Sequence, residues 1–119
     1  MFKNFGGIGN MAALLASAQK IPERMQHLTA QLEHETVHAT AGGGAVQVTL
    51  DGLGQMKSIE IDPASREHID LQIWIVEACN AASSEAKQRY AKAVRQMATD
   101  MNINIPGLDG LLANLTGGA

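Results

Sequence analysis

The longest regular pattern in the sequence is a helical one that extends from about Asp70 to Met101. Apolar side chains recur there at spacings of three and four residues, the periodicity of one face of an α-helix. Roughly 32 residues with a rise of about 1.5 Å each make a helix of about 48 Å, whereas a strand of six residues spans only about 20 Å. A small sheet can therefore cover only half of this helix, and the other half must project. The apolar stripe consists of Ile69, Ile73, Val76, Cys79, Ala86, Tyr90, Val94, Met97 and Met101.

Three short segments before this helix have the alternating pattern of β-strands. In the second segment, Val46, Val48 and Leu50 alternate with polar residues, which is typical of a half-buried strand. Glycine-containing turns separate the segments, as in hairpins. The pattern therefore predicts a three-stranded antiparallel sheet. We expect its strands at 36–41, 46–51 and about 55–61, joined by a flexible connection at 42–44 and a turn at 51–54.

A second apolar stripe, with heptad spacing, predicts a first helix before the sheet. Such spacing is typical of helices that lie along another helix, so the projecting half of the long helix is the expected partner. Asn10 is the expected N-cap, after a flexible arm at 1–9. Pro22 is expected to kink or break the helix near 18–21. The stripe consists of Met11, Leu14, Ala18, Ile21, Met25, Leu28 and Leu32.

Together these elements predict a single α+β domain over residues 1–119, in the order helix, three-stranded antiparallel sheet, long helix. Residues 108–119 are expected to be a flexible tail. The apolar face near 74–82 is wider than one small sheet needs, which predicts a homodimer interface there. The single cysteine, Cys79, fits a reducing compartment. Because no signal peptide or membrane span is recognised, we expect a cytoplasmic protein.

Charge is segregated along the chain, although the net charge is only −3. Between Ala86 and Met97 there are four cations and no acid, and on the helix they are expected to face away from the core. The first helix adds Lys20, Arg24 and His27 at the same end. In a dimer, two such ends protrude from one body, which suits phosphate contacts on either side of a duplex. The alternative is an ordinary solvated helix face. The four cations are Lys87, Arg89, Lys92 and Arg95.

The residue types that carry catalysis or bind metals do not form a recognisable site. His34 and His38 are four residues apart, but His38 lies in a predicted strand and no third ligand is near in sequence. The glycines at 42–44 are not followed by the Lys and Ser or Thr of a phosphate-binding loop. Cys79 lies on an apolar stripe, as a buried small hydrophobe does. We therefore expect no enzymatic activity, no metal site and no cofactor.

Several local motifs, in a fixed order and spacing, also carry a resemblance to a known family. The most specific is the succession of the glycine triplet 42–44, Asp51-Gly52 and Ile59-Glu60-Ile61-Asp62-Pro63. The others are the Met-Phe and glycine-rich start, Met25-Gln26, Ala30-Gln31-Leu32-Glu33, the run 39–49, Ala78-Cys79-Asn80-Ala81 and Ile105-Pro106-Gly107-Leu108. With these motifs the chain resembles, over nearly its whole length, the YbaB/EbfC family of bacterial nucleoid-associated DNA-binding proteins.

The resemblance implies a tweezer-like α+β homodimer whose protruding helices bind double-stranded DNA with little or modest sequence preference. It also implies a cytoplasmic, nucleoid-associated location, an influence on nucleoid organisation and gene expression, and no enzymatic activity. The alternative function is a protein-interaction adaptor that uses the heptad stripe or the leucine-rich tail, with weak or no DNA binding. The residues expected to contact DNA phosphates are Lys20, Arg24, Lys87, Arg89, Lys92 and Arg95.

Overall fold

The computed structural model consists of two long helices, a three-stranded sheet and a short C-terminal helix. It describes residues 2–103 and 107–116, with side chains from Ala12 onward except those of residues 13, 14 and 17. The predicted α+β class and order of elements are confirmed. In chain order the elements are α1 (Phe2–Glu33), β1 (Thr36–Ala41), β2 (Val46–Asp51), β3 (Met56–Ile61), one turn of 3₁₀ helix (Pro63–Ser65), α2 (Leu71–Asp100) and α3 (Leu108–Leu115).

The sheet has the order β1-β2-β3, and both pairs of neighbouring strands are antiparallel. The register places Val48 of β2 opposite Ala39 on one side and opposite Ile59 on the other. Paired residues point to the same face, so the apolar residues of the three strands share one face of the sheet. α2 packs against that face, mainly over β1 and β2. Val48 in the central strand is thereby completely buried.

Alanines on α2 allow the helix to approach the sheet closely. Ala78, Ala82 and Ala86 are spaced four residues apart and are buried with the valines of the sheet in one core. Small side chains at these positions leave room for the branched side chains of the strands. The core ends at Ala86, and the rest of α2 extends past the sheet, as its length predicts. The molecule is correspondingly elongated, with dimensions of 75 × 26 × 14 Å.

The end of α1 is held against the turn between β2 and β3. Gly52 donates its backbone N–H to the Leu32 carbonyl at 2.8 Å, and a Cβ at Gly52 would lie 2.6 Å from that oxygen. The buried carboxylate of Asp51 shapes the turn by accepting the backbone N–H groups of Leu53 and Gln55, each at 2.9 Å. These contacts fix the point at which α1 leaves the sheet, close to the place where α2 projects from it.

α1 begins earlier than the sequence pattern indicated. The helix extends from Phe2, so Asn10 is not its N-cap and residues 2–9 are helical, while their flexibility stays a prediction. Pro22 lies inside α1 without interrupting it, so of the expected kink or break near 18–21 the break does not occur and the kink stays a prediction. Proline deprives the carbonyl of Ala18 of its helical hydrogen-bond donor. Because Pro22 and Ala18 are both exposed, water can bond to that carbonyl and the helix can continue.

Only one end of the heptad stripe is covered within a single chain. Leu28 and Leu32 are buried where α1 contacts α2, whereas Ala18 is exposed. The side chains of Met11 and Leu14 lie outside the described part of the chain. The predicted packing of α1 along the projecting half of α2 is therefore confirmed for the last turns of α1.

The chain reverses after α2 and returns along it as α3. Asn102 and Gly107, on either side of the reversal, have left-handed backbone conformations with φ of 56° and 79°. α3 contacts α2, and its Leu112 is only 3% exposed. Residues 108–115, expected to belong to a flexible tail, are therefore helical, and their flexibility stays a prediction.

The last residues of the predicted tail, 117–119, lie outside the described residues. So does the segment 104–106, which includes Ile105 and Pro106 of one motif of the family resemblance. Among the helices described here, none combines the length and the apolar character that crossing a membrane requires.

Candidate nucleic-acid interface

Positive charge is concentrated on the part of the chain that extends beyond the sheet. Residues 1–33 and 86–119 contain seven of the nine Lys and Arg residues but four of the twelve Asp and Glu residues, a formal net charge of +3. Residues 34–85 contain two cations and eight acids, a net charge of −6. A polyanion is therefore attracted to α1 and to the projecting half of α2, and is repelled by the sheet region.

On α1, Lys20 and Arg24 form one cationic patch. Side chains four residues apart lie on the same side of a helix, and both of these are exposed. Together with His27 they border a shallow, open surface on which Glu23 is the one acid. Neither cation forms an ion pair with any other described residue. Both are therefore available to an external anion.

On α2, Arg89 is turned toward the sheet rather than away from it. Its Nη1 donates to the backbone carbonyl of Thr36, the first residue of β1, at 3.3 Å. Its Nε donates to Glu85 Oε1 at 3.4 Å. Arg89 therefore faces the edge of the sheet rather than its core, and 40% of its side chain stays exposed. The bond forms because the start of β1 lies beside the second half of α2, and an arginine can donate to a backbone carbonyl there.

Lys92 lies in an open groove between the end of α1 and the projecting half of α2. It is exposed and forms no ion pair within the described part of the chain. Glu35 and Glu85 border the same groove, so an anion meets acids as well as cations there and approaches Lys92 best from the outside. The groove is lined by Leu32, Glu35, Glu85, Gln88, Arg89, Lys92 and Ala93.

Lys87 and Arg95 lie beside α3. Arg95 Nε donates to Asp109 Oδ1 at 3.1 Å, so one cation of α2 is paired with an acid of the C-terminal helix. Lys87 is exposed and borders a second groove, to which α3 contributes Leu115. α3 therefore lies next to two of the four cations on α2, Lys87 and Arg95.

The structure thus divides the six candidate cations into two groups. Arg89 and Arg95 are bonded to groups of their own chain, whereas the others are exposed and form no ion pair within the residues described. On α2, each side of the helix carries one bonded and one unpaired cation. Arg89 and Lys92 lie in the groove beside α1, and Arg95 and Lys87 lie next to α3. The basic segment is therefore not one continuous face. The unpaired cations are Lys20, Arg24, Lys87 and Lys92.

Neither of the two acids that pair with these arginines was predicted from the sequence. Glu85 precedes Arg89 by four residues, a spacing that favours a helical ion pair and could have indicated it. Asp109 reaches Arg95 only because the chain reverses after α2, and no local pattern indicates where the returning segment lies.

An apolar surface remains open on the first half of α2 and on β3. Ile73 and Val76 are 56% and 58% exposed, and Ile69, just before the helix, is 91% exposed. On β3, Met56 and Ile59 are also exposed, because α2 covers mainly the other two strands. Large apolar side chains grouped in this way are typical of surfaces that bind another protein.

The apolar face predicted near 74–82 is therefore only partly available to a partner. Ala78 and Ala82 are completely buried in the core of the chain itself. The Trp74 ring packs closely over Gly42, where a Cβ would collide with it. The dimer interface near 74–82 stays a prediction, and the side chains in and beside this stretch that remain open to a partner are Val76 and Ile73.

The histidine pair considered as a metal site is not assembled. His38 lies in β1, with its Nδ1 3.1 Å from Thr49 Oγ1, and His34 lies in the turn after α1. Within residues 2–103 and 107–116, no group of three His, Cys, Asp or Glu side chains is placed to hold a metal ion.

The fold resembles a solved structure. The crystal structure of an uncharacterized protein from Helicobacter pylori matches with a TM-score of 0.61 at 21% sequence identity, covering 67% of this chain and 96% of that one. At this level of identity, the similarity shows a shared fold.

Sequence comparison identifies the family. A nucleoid-associated protein of Clostridium kluyveri is 36% identical over 110 residues, covering 90% of this chain and 95% of the relative. A nucleoid-associated protein of Pelotomaculum thermopropionicum is 36% identical over 103 residues, covering 84% and 96%. The sequence profile of the YbaB/EbfC DNA-binding family matches residues 7–101, which hold α1 from Gly7 onward, the sheet and α2. The chain therefore belongs to the YbaB/EbfC DNA-binding family.

Proposed function

We propose that this protein is a nucleoid-associated protein that binds double-stranded DNA as a homodimer, mainly through contacts between its exposed cations and DNA phosphates. The observation that carries the proposal is the separation of charge between the protruding part of the chain, at +3, and the sheet region, at −6. Membership in a DNA-binding family and relatives named nucleoid-associated proteins support DNA as the anion.

The chemistry of the exposed cations favours phosphate contacts over base contacts. Lys20, Lys87 and Lys92 carry compact charges on flexible stems, which attract phosphate without a fixed geometry. Arg24 is the only unpaired arginine of the candidate set, and bidentate recognition of guanine is mainly an arginine function. Because these side chains lie on different sides of two helices, no single face presents them to one groove. We therefore expect strong salt dependence and little sequence preference.

A homodimer would present two sets of protruding helices to one duplex. The open apolar surface around Ile73 and Val76 is of the kind that a second copy buries. The exposed part of the α1 stripe, at Ala18, offers a second place for contact between copies. A dimer doubles the four unpaired cations to eight, and roughly this number of phosphate contacts gives DNA binding with steep salt dependence.

The cellular role follows from binding the chromosome. A protein that occupies bacterial DNA without strong sequence preference is located in the cytoplasm on the nucleoid, and it influences nucleoid organisation and gene expression. The family is one of DNA-binding proteins, which supports a binding role rather than catalysis.

The proposal is tested by fluorescence anisotropy with a duplex of about 30 base pairs at about 100 mM salt, where charges more than about 10 Å apart are largely screened. Lys20→Gln combined with Arg24→Gln removes two cations from α1, and Lys57→Gln combined with Arg66→Gln removes two from the sheet region. Thermal unfolding of the second variant checks its fold, because Lys57 Nζ lies 3.8 Å from the buried Asp51 carboxylate. We expect the first double variant to weaken binding at least about tenfold and the second to change it less than about twofold, because phosphate contacts act over short range in salt. Equal weakening by both, or no binding by the unaltered protein, contradicts the proposal.

Dimer formation is tested separately by light scattering. Val76→Asp places a charge in the exposed apolar surface of α2 and should convert a dimer into a monomer. Glu77→Ala changes the adjacent exposed residue on the same helix and serves as the control. A monomeric unaltered protein, or a dimer that tolerates Val76→Asp, would remove this surface from the proposal.

One observation favours the alternative function of a protein-interaction adaptor. Leu111 and Leu115 are exposed on α3, so the leucine-rich tail presents apolar side chains to solvent. A protein that fails to bind any duplex at low salt, but retains a discrete partner that Leu111→Asn releases, would establish the adaptor instead.

A further inference from the structure

We propose that α3 competes with DNA for the basic segment of α2, so that the docked C-terminal helix weakens DNA binding and its release strengthens it. The inference rests on the proposed DNA binding and concerns its regulation. Three features of α3 support it: its ion pair with a cation of α2, its position beside a second cation of α2, and the small area of contact between α3 and α2.

α3 forms an ion pair with one of the cations of α2 that are candidates for DNA contact. Asp109 Oδ1 accepts from Arg95 Nε at 3.1 Å, and this is the only ion pair between α3 and the remainder of the described chain. A carboxylate and a DNA phosphate are chemically similar partners for a guanidinium group. While Asp109 holds Arg95, a phosphate that approaches Arg95 must displace the carboxylate or meet its negative charge.

α3 also reaches the surroundings of Lys87, although the Lys87 side chain itself stays exposed. Leu115, at the end of α3, borders the same groove as Lys87 and Tyr90. α3 therefore extends from Arg95 to Lys87, a stretch of two helical turns on α2. Arg89 and Lys92 lie in the groove beside α1 and are not affected. The docked helix thus limits access to one side of the basic segment only.

The contact between α3 and α2 is small enough for α3 to detach. Leu112 is its only buried residue, whereas Leu111 is 62% exposed and the Asp109 side chain is 90% exposed. A helix of eight residues is not stable alone in water, so α3 should lose its helical structure when it leaves α2. By linkage, if docked α3 weakens DNA binding, bound DNA must weaken the docking of α3 by the same factor.

The charge contribution is tested with Asp109→Asn in the full-length protein. Asp100→Asn is the matched control, because Asp100 is an exposed acid at the end of α2 that bonds only to Gln96 Nε2, at 2.9 Å. We expect Asp109→Asn to tighten binding to a 30-base-pair duplex about two- to tenfold at low salt, as the loss of an exposed ion pair in each protomer predicts. An equal gain with Asp100→Asn would mean a general effect of net charge and would overturn the proposal.

The docking contribution is tested with Leu112→Asn, which keeps every charge but puts an amide in the buried position. Leu111→Asn makes the same chemical change on the exposed side of α3 and is the control. We expect faster amide hydrogen exchange at 108–115 in Leu112→Asn without DNA, and in the unaltered protein when DNA is added. We also expect tighter DNA binding by Leu112→Asn only.

The outcomes separate this proposal from the proposed function. If the unaltered protein binds DNA but neither Asp109→Asn nor Leu112→Asn tightens it, competition by α3 is wrong and DNA binding stands. If no variant binds DNA at low salt, including Leu112→Asn, both proposals are overturned.

Discussion

The salt dependence of DNA binding distinguishes the cations that contact phosphate from those that only lie near it. The perturbation is the double change Lys87→Gln and Lys92→Gln, which removes both unpaired cations of α2. The matched change is Arg89→Gln with Arg95→Gln, which removes the same charge from the two arginines bonded within their own chain. The two variants have equal net charge and differ only in which side chains are free.

The magnitude follows from the number of free cations. The logarithm of affinity falls with the logarithm of salt concentration by about 0.9 for each phosphate contact. Four unpaired cations in each protomer give eight in a dimer and a slope of about −7. All six candidates would give twelve contacts and a slope of about −11. Between 50 and 200 mM salt, these slopes correspond to losses of affinity of about 10⁴-fold and more than about 10⁶-fold.

The assay is an anisotropy titration of a fluorescent duplex at four or five salt concentrations for each protein. We expect Lys87→Gln with Lys92→Gln to reduce the slope by about 3.6 units, and Arg89→Gln with Arg95→Gln to change it by less than about one. Thermal unfolding of each variant controls for loss of structure, which is expected to be small for the lysines because both are exposed. A slope near −11 for the unaltered protein, or equal reductions for the two variants, would refute the assignment.

Three further changes test the fold that positions the site. Asp51→Ala should lower the free energy of unfolding by roughly 2–4 kcal/mol in urea titrations, because two backbone N–H groups of the hairpin turn lose their acceptor; Asp51→Asn, which retains an acceptor oxygen, should cost less. Gly42→Ala should lower it by at least about 2 kcal/mol, since the residue has φ of 65° and its Cβ would collide with the Trp74 ring. Pro22→Ala should raise the helical circular dichroism signal and the stability of α1 by about 1–3 kcal/mol, because it restores a helical donor inside an exposed turn. A destabilised Pro22→Ala protein would show that the proline is needed where it stands.

Much of the fold could be predicted from local patterns. The alternation of Val46, Val48 and Leu50 predicted the central strand β2 with the bounds that the structure shows. The long apolar stripe placed α2 to within one residue at each end, at Leu71–Asp100. These predictions succeeded because periodicity and turn chemistry act over a few residues. The first helix was predicted less well, since neither Asn10 nor Pro22 limits it.

The candidate site could be predicted only as a set of charges. The basic segment of α2 is visible in the sequence, and its separation from the acidic sheet region survives in the structure. Apart from the Glu85–Arg89 pair, whose four-residue spacing is a local signal, the state of each cation was not predictable. Arg89 is bonded to Thr36, 53 residues away in sequence, and Arg95 to Asp109 across a chain reversal. Which of the six candidates are free therefore depended on contacts that no local pattern contains.

The sequence by itself determined the long helix α2, the sheet and the sign of charge along the chain, because helix length, strand alternation and charge are properties of neighbouring residues. Only the tertiary structure decided that the basic segment of α2 has two sides, one beside α1 and the other beside α3. It also decided which apolar side chains, Ile73 and Val76 rather than Ala78 and Ala82, remain open. The physical reason is that ion pairing and burial depend on which distant segments come within a few ångströms of each other, and the path of the whole chain sets those distances.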